Sequence, residues 1–555
     1  MQKPRKRRAA GAAWLGRTLE ALARALGPRT YFALALALSG LVVVDATVQP
    51  LMRGLEKQTN DLMMRSRLAA AGPDPDIVVI DIDEASLAAM AKEYGRWPWP
   101  RAVLAEMLEA IEAQQPRAVA FDILFSDEDV QNPSSDVLFD EAVGRSKRSY
   151  FSLLRLDSRA DGKSRLRASM VPGALKSGEG DADPAISMIL PRFPAMITSA
   201  RLGTTNADPD SDSVVRRYQA YEEAGAWRIA SLPLKIIRDL GYAEPESREI
   251  VLNWRGRPFA YRFVSFADVH ADLLRRDRKR PKDEFAGKIV LIGSTAPSLF
   301  DVKATPMAKV HPGVEILATA IDNMKHGDYY RPIGKWLSAL VSVALIWGLA
   351  LALRFSSHAL NGGPALLAVQ VLLLAIAYAS INLSTHYIDF TASVAFGLLF
   401  FALANLRLQV RERTAYRSAP AMLNLESGRR YRLQLLLVAP RRAALRPRTR
   451  ARLLDMVCAS KLGARLTDQP FPDRGVLGRA FRGLVIVYWL CADDEIGTFE
   501  AVKAESGRVQ SAASELEAGA ARVLEHVAAF EWDEARPGRI GEILLDALEL
   551  LKEGR

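Results

Sequence analysis

The chain has few cysteines and few histidines, two and six respectively among its 555 residues. Both cysteines, Cys458 and Cys491, lie near the C-terminus, so the disulfide framework typical of small exported domains is excluded. Any exported part must be held by its own hydrophobic core, which a segment of several hundred residues can supply. We expect both thiols to be small buried side chains and not catalysts.

Long apolar runs are also few, and a helix that crosses a membrane needs about 20 mostly apolar residues. Four segments approach that length: Tyr31–Pro50, Trp336–Leu353, Pro364–Ile381 and Tyr387–Leu406. The second and third contain no charged residue, whereas channels and transporters normally place ionisable groups at mid-membrane. We interpret the first as an anchor and not a cleaved signal peptide, because no small-x-small cleavage site follows it.

The basic charge is concentrated in two stretches. Residues 1–30 contain eight basic residues and one acidic residue, and residues 407–450 contain twelve arginines and two glutamates. Each stretch adjoins an apolar segment, which is typical of the cytoplasmic flanks of membrane helices. The net charge of +10 therefore indicates topology, with anionic membrane lipid as the contact and no nucleic-acid binding.

With four crossings, both termini are predicted to be cytoplasmic. The predicted order is a basic arm (1–30), a first transmembrane helix (31–50), an extracytoplasmic domain (51–330), three clustered transmembrane helices (336–353, 364–381 and 387–406), a basic linker (407–430) and a cytoplasmic domain (431–555). In the extracytoplasmic domain, strand-like runs such as Asp76–Asp83, Ala118–Phe125 and Gly287–Ser294 alternate with helix-like segments. This alternation predicts an α/β fold with a largely parallel sheet.

Polar residues follow the predicted strands, where ligands collect in parallel sheets. The candidate ligand-binding residues are Asp81, Asp83, Arg101, Asp122, Ser294, Thr295 and Asp301. For the carboxylates, internal ion pairs or helix caps are the alternative. The WPWPR motif that ends at Arg101 is either a rigid turn or part of the site, and GSTAP is either a loop or an anion cradle. The DPDSDS segment lacks the glycine and glutamate of an EF-hand, so we predict a polar turn.

Nine segments carry a family resemblance: VVIDIDEASL, GRWPWPR, AVAFDILFSDED, GTTNADPDSDSVVRR, SLPLKII, VLNWRG, FVSFADV, GKIVLIGSTAPSLFDVKATPM and HPGVEILATAIDNM. In this order they resemble the CHASE2 extracellular sensory domain, and with the three clustered helices the resemblance covers about residues 50–410. One departure is Ser213, where the family often has glycine. The resemblance implies a homodimeric sensor in a bacterial inner membrane, with an unknown extracytoplasmic ligand or protein partner.

The C-terminal domain is predicted to be a small α/β or α+β fold. Strands are expected at Tyr431–Val438 and Gly483–Leu490, and helices at Thr449–Leu462, Glu505–Phe530 and Ile540–Leu551. Its one histidine, His526, is expected as a surface or boundary residue of the second helix and not as a phosphoacceptor. The output modules common after CHASE2 domains would show a Walker loop, kinase motifs, histidine-kinase glycine boxes or a GGDEF or GGEEF sequence, and none is visible.

We therefore expect a non-enzymatic receptor without a cofactor, which engages a cytoplasmic signalling partner. Two alternatives stay open: a sensory enzyme with a divergent cyclase-like or kinase-like output domain, and a scaffold in a cell-envelope assembly. For the enzyme, the only metal-ligand candidates are Asp493, Asp494 and Glu495, which follow a predicted strand. A solvated loop is the simpler interpretation of this cluster.

Overall fold

A computed structural model shows the fold. It describes residues 30–177, 180–275, 277–355, 363–418, 425, 427–440, 452–453, 455–457, 459–462, 464–467, 484–493, 496–516, 521–533 and 539–553. The chain forms two compact units. The larger unit comprises Val42–Ser342 and Leu366–Val394, and the smaller comprises Met1–Leu41, Val343–Ala365 and Ala395–Arg555.

The secondary structure of the described residues follows in chain order. The α-helices are α1 (Thr30–Thr47), α2 (Arg53–Arg65), α3 (Glu84–Tyr94), α4 (Arg101–Glu112), α5 (Pro133–Arg145), α6 (Pro194–Ser199), α7 (Leu232–Asp239), α8 (Phe266–Leu273), α9 (Gly313–His326), α10 (Lys335–Phe355), α11 (Gly363–Leu383), α12 (Thr391–Ser418), α13 (Ile496–Leu516) and α14 (Arg539–Glu553). The strands of the larger unit are β1 (Ile77–Asp81), β2 (Ala118–Phe121), β3 (Ser149–Arg155), β4 (Leu175–Lys176), β5 (Met188–Ile189), β6 (Leu202–Thr204), β7 (Arg217–Gln219), β8 (Tyr221–Ala224), β9 (Trp227–Ala230), β10 (Glu249–Val251), β11 (Arg262–Ser265), β12 (Ile289–Gly293), β13 (Val302–Lys303), β14 (His311–Pro312), β15 (Arg331–Pro332) and β16 (His386–Tyr387). Those of the smaller unit are β17 (Arg430–Pro440), β18 (Arg465–Thr467), β19 (Val485–Ala492) and β20 (Ala521–Glu531).

The larger unit is built on a seven-stranded sheet with the order β11-β1-β12-β2-β3, in which β5 and β6 both pair with β3. All pairings except that of β5 are parallel. Every residue of the central strands β1 and β12 is buried. Their continuous apolar runs, IVVID and IVLIG, are typical of parallel strands that are covered on both faces.

Helices cover both faces of this sheet. One hydrophobic core holds apolar residues of α3, α4, α5, α6 and α8, together with a group of stacked and edge-on phenylalanines that includes Phe121 and Phe151. The other core holds residues of α7 and α9. The α/β fold with a largely parallel sheet, predicted for residues 51–330, is therefore present.

Three helices of the described residues are long and apolar enough to cross a membrane, by length and composition: Thr30–Thr47, Lys335–Leu353 and Gly363–Leu383. They coincide with the first three predicted segments. The fourth segment lies mostly in α12, whose apolar part, Thr391–Leu406, is shorter. Its first residue, Tyr387, belongs to β16 and not to the helix. A fourth crossing stays a prediction.

The smaller unit contains an antiparallel sheet with the order β18-β19-β17-β20. Helix α14 packs on one face of the sheet, and α13 packs on the other. Both predicted strands and the last predicted helix are present, within a few residues.

The prediction of a helix over Glu505–Phe530 is wrong in its second half. Strand β20 occupies Ala521–Glu531 and pairs with β17 along its whole length. His526 consequently lies on a strand, partly buried, opposite Leu435. Long-range pairing with a buried strand decides the conformation here, against the local helical pattern.

Candidate functional site

The larger unit contains a cavity of about 460 Å³ at the carboxyl edge of the parallel sheet. Its wall includes residues from the ends of five strands: Ile82 after β1, Ser294 after β12, Asp122 after β2, Leu154 on β3 and Thr205 after β6. A cavity of this size lies within the usual range for small-molecule sites, about 300–1,000 Å³.

The chain topology creates this cavity. Strand β12 lies between β1 and β2 and leads into α9, which packs on one face of the sheet. Strands β1 and β2 lead into helices that pack on the opposite face. Where neighbouring strands send their connections to opposite faces, a crevice opens at their carboxyl ends, which is the usual ligand position in open α/β sheets.

Three carboxylates and one ammonium group line the cavity: those of Asp122, Asp208, Asp301 and Lys303. Among the residues that the structure describes, none of these side chains forms a hydrogen bond, and none has an ion-pair partner within 4 Å. Asp122 and Asp301 are partly exposed. Both carboxylates are therefore available to a molecule in the cavity.

The environment disfavours ionisation of these carboxylates. Burial, and after it the nearby carboxylate of Asp301, raise the pKa of Asp122 to about 8, with Lys303 opposing the shift. Burial likewise raises the pKa of Asp301, against the opposing charge of Lys303. A cation that entered the cavity would favour the ionised form of both groups.

Two glycines shape the wall. A Cβ atom at Gly293 would lie 2.7 Å from a methyl carbon of Val314 and 3.2 Å from the Cβ of Asp122. A Cβ atom at Gly313, the first residue of α9, would overlap the carboxylate of Asp301. Glycine at these positions lets α9 approach the strand end and leaves room for both aspartates.

The structure brings three of the seven predicted site residues together in the cavity wall: Asp122, Ser294 and Asp301. The Ser294 hydroxyl donates to the carbonyl oxygen of Ile82 at 2.8 Å, so this hydroxyl also ties the loop to the neighbouring strand end. A ligand role for each of the three stays a prediction.

Asp81, Asp83 and Thr295 make contacts within the protein instead. The Thr295 amide and hydroxyl donate to the carboxylate of Asp81 at 2.9 and 2.6 Å. An anion cradle in GSTAP would use these same two donors. The carboxylate of Asp81 already occupies the position that a bound anion would take. Asp83 accepts from the amide of Ser86 at 2.6 Å and caps helix α3. For these three residues, the structure therefore shows a helix cap and internal hydrogen bonds, which is the alternative to ligand binding.

The WPWPR motif contributes one tryptophan to the cavity wall and one to the core, and a ligand role for the motif stays a prediction. Trp97 lines the cavity, while Trp99 is buried and packs on Phe266 with ring centroids 5.1 Å apart. Arg101 begins α4, is buried, and holds its guanidinium 5.5 Å from the ring centroid of Phe125. Burial lowers the pKa of Arg101. Arg101 is not among the residues of the cavity wall.

Sequence reasoning missed Asp208, Lys303 and Tyr218 as cavity residues. The signals were present, because Asp208 opens DPDSDS and Lys303 lies within the FDVKATPM part of a family segment. Tyr218 is 1% exposed, and its hydroxyl makes only a long 3.5 Å contact with the carbonyl oxygen of Thr204. Burial raises the pKa of Tyr218 well above its ordinary value.

The rest of DPDSDS forms a salt-bridge cluster at a turn. Asp210 and Asp212 bond to Arg216 at 2.9 and 2.8 Å, and Asp210 also pairs with Lys57 at 3.0 Å. Ser213 adopts a φ of 63°, a left-handed conformation that glycine adopts more readily. Glycine, which the resemblance implies for this position, would adopt this conformation without strain.

A second acidic group lies at the opposite end of β1. Ligand atoms of Asp74, Asp322 and His326 lie within 4.8 Å of one another. Arg255 already bonds to Asp322 at 2.6 Å, and Lys325 bonds to Asp74 at 2.5 Å. This group is a buried ion network that ties the last turn of α9 to the sheet.

In the smaller unit, Asp493 pairs with the guanidinium of Arg432. Asp494 and Glu495, the other two metal candidates, lie outside the described residues. Cys491 is buried, as predicted, and Cys458 also lies outside the described residues.

Comparison with known proteins identifies the larger unit. The model of the CHASE2 domain, an extracellular sensory domain, matches residues 34–354, which is more than half of the chain. No curated protein and no solved structure matches the chain. The match spans the sheet, the cavity and the first two apolar helices. The chain therefore belongs to the CHASE2 domain family.

Proposed function

We propose that this protein is a membrane-anchored receptor whose CHASE2 domain binds a small extracytoplasmic ligand in the cavity and relays its presence to the C-terminal domain. The cavity is the observation that carries the proposal. It lies where α/β sheets bind ligands, and its charged side chains lack partners among the described residues. A filled interior or a fully bonded wall would suit a purely structural domain better.

The charge pattern supports the proposed orientation. The basic stretches 1–30 and 407–450 would lie on the cytoplasmic side of a bacterial inner membrane, and residues 51–330 would lie in the periplasm. With the short apolar helix of α12 as a fourth crossing, the smaller unit's sheet would be cytoplasmic. There it would engage a signalling partner, in a homodimeric receptor.

Contacts within the larger unit offer a route from the cavity to an apolar helix. Gly313 and Leu317 of α9 line the cavity, and Asn323 on the same helix accepts from the amide of Asn253 at 2.7 Å. Beyond α9, the hydroxyl of Tyr330 donates to the carbonyl oxygen of Ile381 in α11 at 2.8 Å. A shift of α9 would thus be transmitted to α11.

Arg67 reinforces this route. Its guanidinium donates to the side-chain oxygen of Asn253 at 2.6 Å and to the hydroxyl of Tyr330 at 2.7 Å. Signalling along the route requires that the ligand bind one arrangement of these elements more tightly than another.

Cysteine labelling tests the orientation. In a full-length chain whose two cysteines are replaced by alanine, Asp277→Cys places a thiol on the exposed surface of the CHASE2 domain, and Arg522→Cys places one on the smaller unit. A membrane-impermeant maleimide should label position 277 in cells with a permeabilised outer membrane, and position 522 only after lysis. Labelling of position 522 before lysis would contradict the orientation.

Native mass spectrometry tests the cavity as the ligand site. Full-length protein released from detergent should carry a small non-lipid molecule, and Ala207→Phe, which places a ring in the cavity wall, should lose it. Asp277→Asn, on the exposed surface, is the matched control and should retain the molecule. Equal retention by wild type and Ala207→Phe would exclude the cavity as the site.

A further inference from the structure

The cavity wall has an excess of negative groups. Asp122, Asp208 and Asp301 face a single cationic side chain, Lys303. Lys303 forms no ion pair within 4 Å among the described residues, so it does not neutralise any of the three by direct contact. A positively charged group is the natural complement to this wall, because it would pair with carboxylates that are costly to ionise without a partner in a partly buried site.

The geometry argues against a bare metal ion. Among the described residues, the group Asp74, Asp322 and His326 is where three ligand atoms come within 4.8 Å of one another, and it lies outside the cavity wall. The cavity carboxylates do not converge in this way. Ca²⁺ and Mg²⁺ require several oxygen ligands around one point, at about 2.0–2.6 Å from the ion.

The remaining wall suits an organic molecule. Trp97, Leu124, Leu154 and Leu299 offer apolar and aromatic surface, which a metal ion would not need. The hydroxyl of Tyr218 is buried at the wall, and its long contact leaves it able to bond to a ligand. A few polar groups set in an apolar wall are typical of small-molecule sites.

We propose that the cavity binds a small organic ammonium compound, with its ammonium group held by the carboxylates of Asp122 and Asp301 and its carbon chain against the apolar wall. This inference rests on the proposed function, since it names the ligand class of the same cavity. A charge-assisted hydrogen bond to each carboxylate provides the selectivity for an amine over a neutral molecule of equal length.

Three probes of one length separate charge from shape: 1,5-diaminopentane, 5-aminopentan-1-ol and 1,5-pentanediol. Each is titrated into the full-length protein in detergent at about pH 8.5, where carboxylates and primary amines are both largely charged. Stabilisation against heat reports binding to the folded state. We expect the diamine and the amino alcohol, which both carry an ammonium group, each to bind about tenfold more tightly than the diol.

Substitutions test which side chains bind the ammonium group. Asp122→Asn and Asp301→Asn should each weaken binding of the diamine about tenfold, while the control Asp277→Asn should leave it unchanged. Lys303→Met removes the competing cation and should strengthen diamine binding. This gain of affinity keeps the test decisive if an aspartate variant does not fold.

Several results would overturn the assignment. Equal binding of diol and diamine, or no binding of any probe, would exclude an ammonium ligand. The same holds if Asp122→Asn and Asp301→Asn bind the diamine like wild type, or if Lys303→Met weakens its binding. Stabilisation by Mg²⁺ or Ca²⁺ alone, lost in Asp301→Asn, would make the cavity a metal site. The mass-spectrometric comparison of wild type with Ala207→Phe tests separately whether the cavity is a ligand site of any kind.

Discussion

The carboxylate of Asp301 lies directly against the α-carbon of Gly313, so a methyl group at Gly313 would overlap it. The two residues are also joined through their backbones, because the amide of Gly313 donates to the carbonyl oxygen of Asp301 at 2.9 Å. The start of α9 and an ionisable wall residue are thus in contact at the cavity. A displacement of the start of α9 would therefore displace the side chain of Asp301, and a displacement of that side chain would shift the helix.

Gly313→Ala should therefore disturb the site more than the fold. The new methyl group meets the end of a side chain, which can rotate away, so the melting temperature should change by only a few degrees. The displaced carboxylate should weaken binding of 1,5-diaminopentane about tenfold. Gly144→Ala in α5, where a Cβ would lie 3.8 Å from Ala195, is the control and should bind normally.

Gly203→Ala should have the opposite profile, with a large loss of stability. A Cβ atom at Gly203 in β6 would overlap the backbone of Leu232, which cannot rotate away. We expect a loss of about 3 kcal/mol in the free energy of unfolding, at the upper end of overpacking effects. Thermal melting of Gly203→Ala, compared with the control Gly144→Ala, measures this loss of stability. A Gly203→Ala variant as stable as wild type would refute the close approach of β6 to the start of α7.

Arg255→Ala should also be strongly destabilising. The Arg255 side chain is 2% exposed and bonds to both Asp322 and Asp328 at 2.6 Å. Its removal leaves buried carboxylates without their cation, which costs about 3–5 kcal/mol. Arg159→Ala removes a pair with Asp157 in which the arginine is 90% exposed, and should leave the melting temperature almost unchanged. Similar melting temperatures for the two variants would contradict this contrast.

The stability of the domain should fall as the pH rises through the range set by Asp122. Its ordinary pKa of 3.8 is raised to about 8 in the fold, so the folded state retains a proton that the unfolded chain releases. The stabilising contribution is complete below about pH 4 and is lost as the pH rises to about 8. The charged and titratable groups that face Asp122 across the cavity are Asp208, Tyr218, Asp301 and Lys303.

Asp122→Asn checks the assignment of this pH dependence. Since Asp122 is partly exposed, we expect it to account for about 2 kcal/mol between pH 4 and pH 8, and the asparagine variant should lose that part of the pH dependence. Melting curves of both proteins across the range provide the comparison. Parallel curves would show that the carboxyl group of Asp122 titrates normally.

Much of the sheet could be predicted from sequence, because its central strands are fully buried. IVVID and IVLIG are largely apolar runs rich in β-branched residues, and their strands were predicted within two residues. In the sheet of the smaller unit, the edge strand β20 was not predicted. Its sequence also fits a helix, and only its pairing with β17 makes it extended.

The site was predicted only in part, because strand-end residues look alike in sequence. Asp81 and Asp122 both follow buried apolar runs, yet the register that pairs Asp81 with Gly293 sets Thr295 beside Asp81 and satisfies its carboxylate. Lys303 reaches the cavity through the pairing of β13 with β14, where it lies opposite His311. Such neighbours depend on register and long-range topology, which composition and spacing do not encode.

The most direct test of the account is a cryo-electron-microscopy structure of the full-length protein with 1,5-diaminopentane. We expect ligand density in the cavity, in contact with the carboxylates of Asp122 and Asp301, which disappears in Asp301→Asn. A cavity closed by its own side chains, or ligand density only elsewhere on the protein, would contradict the account.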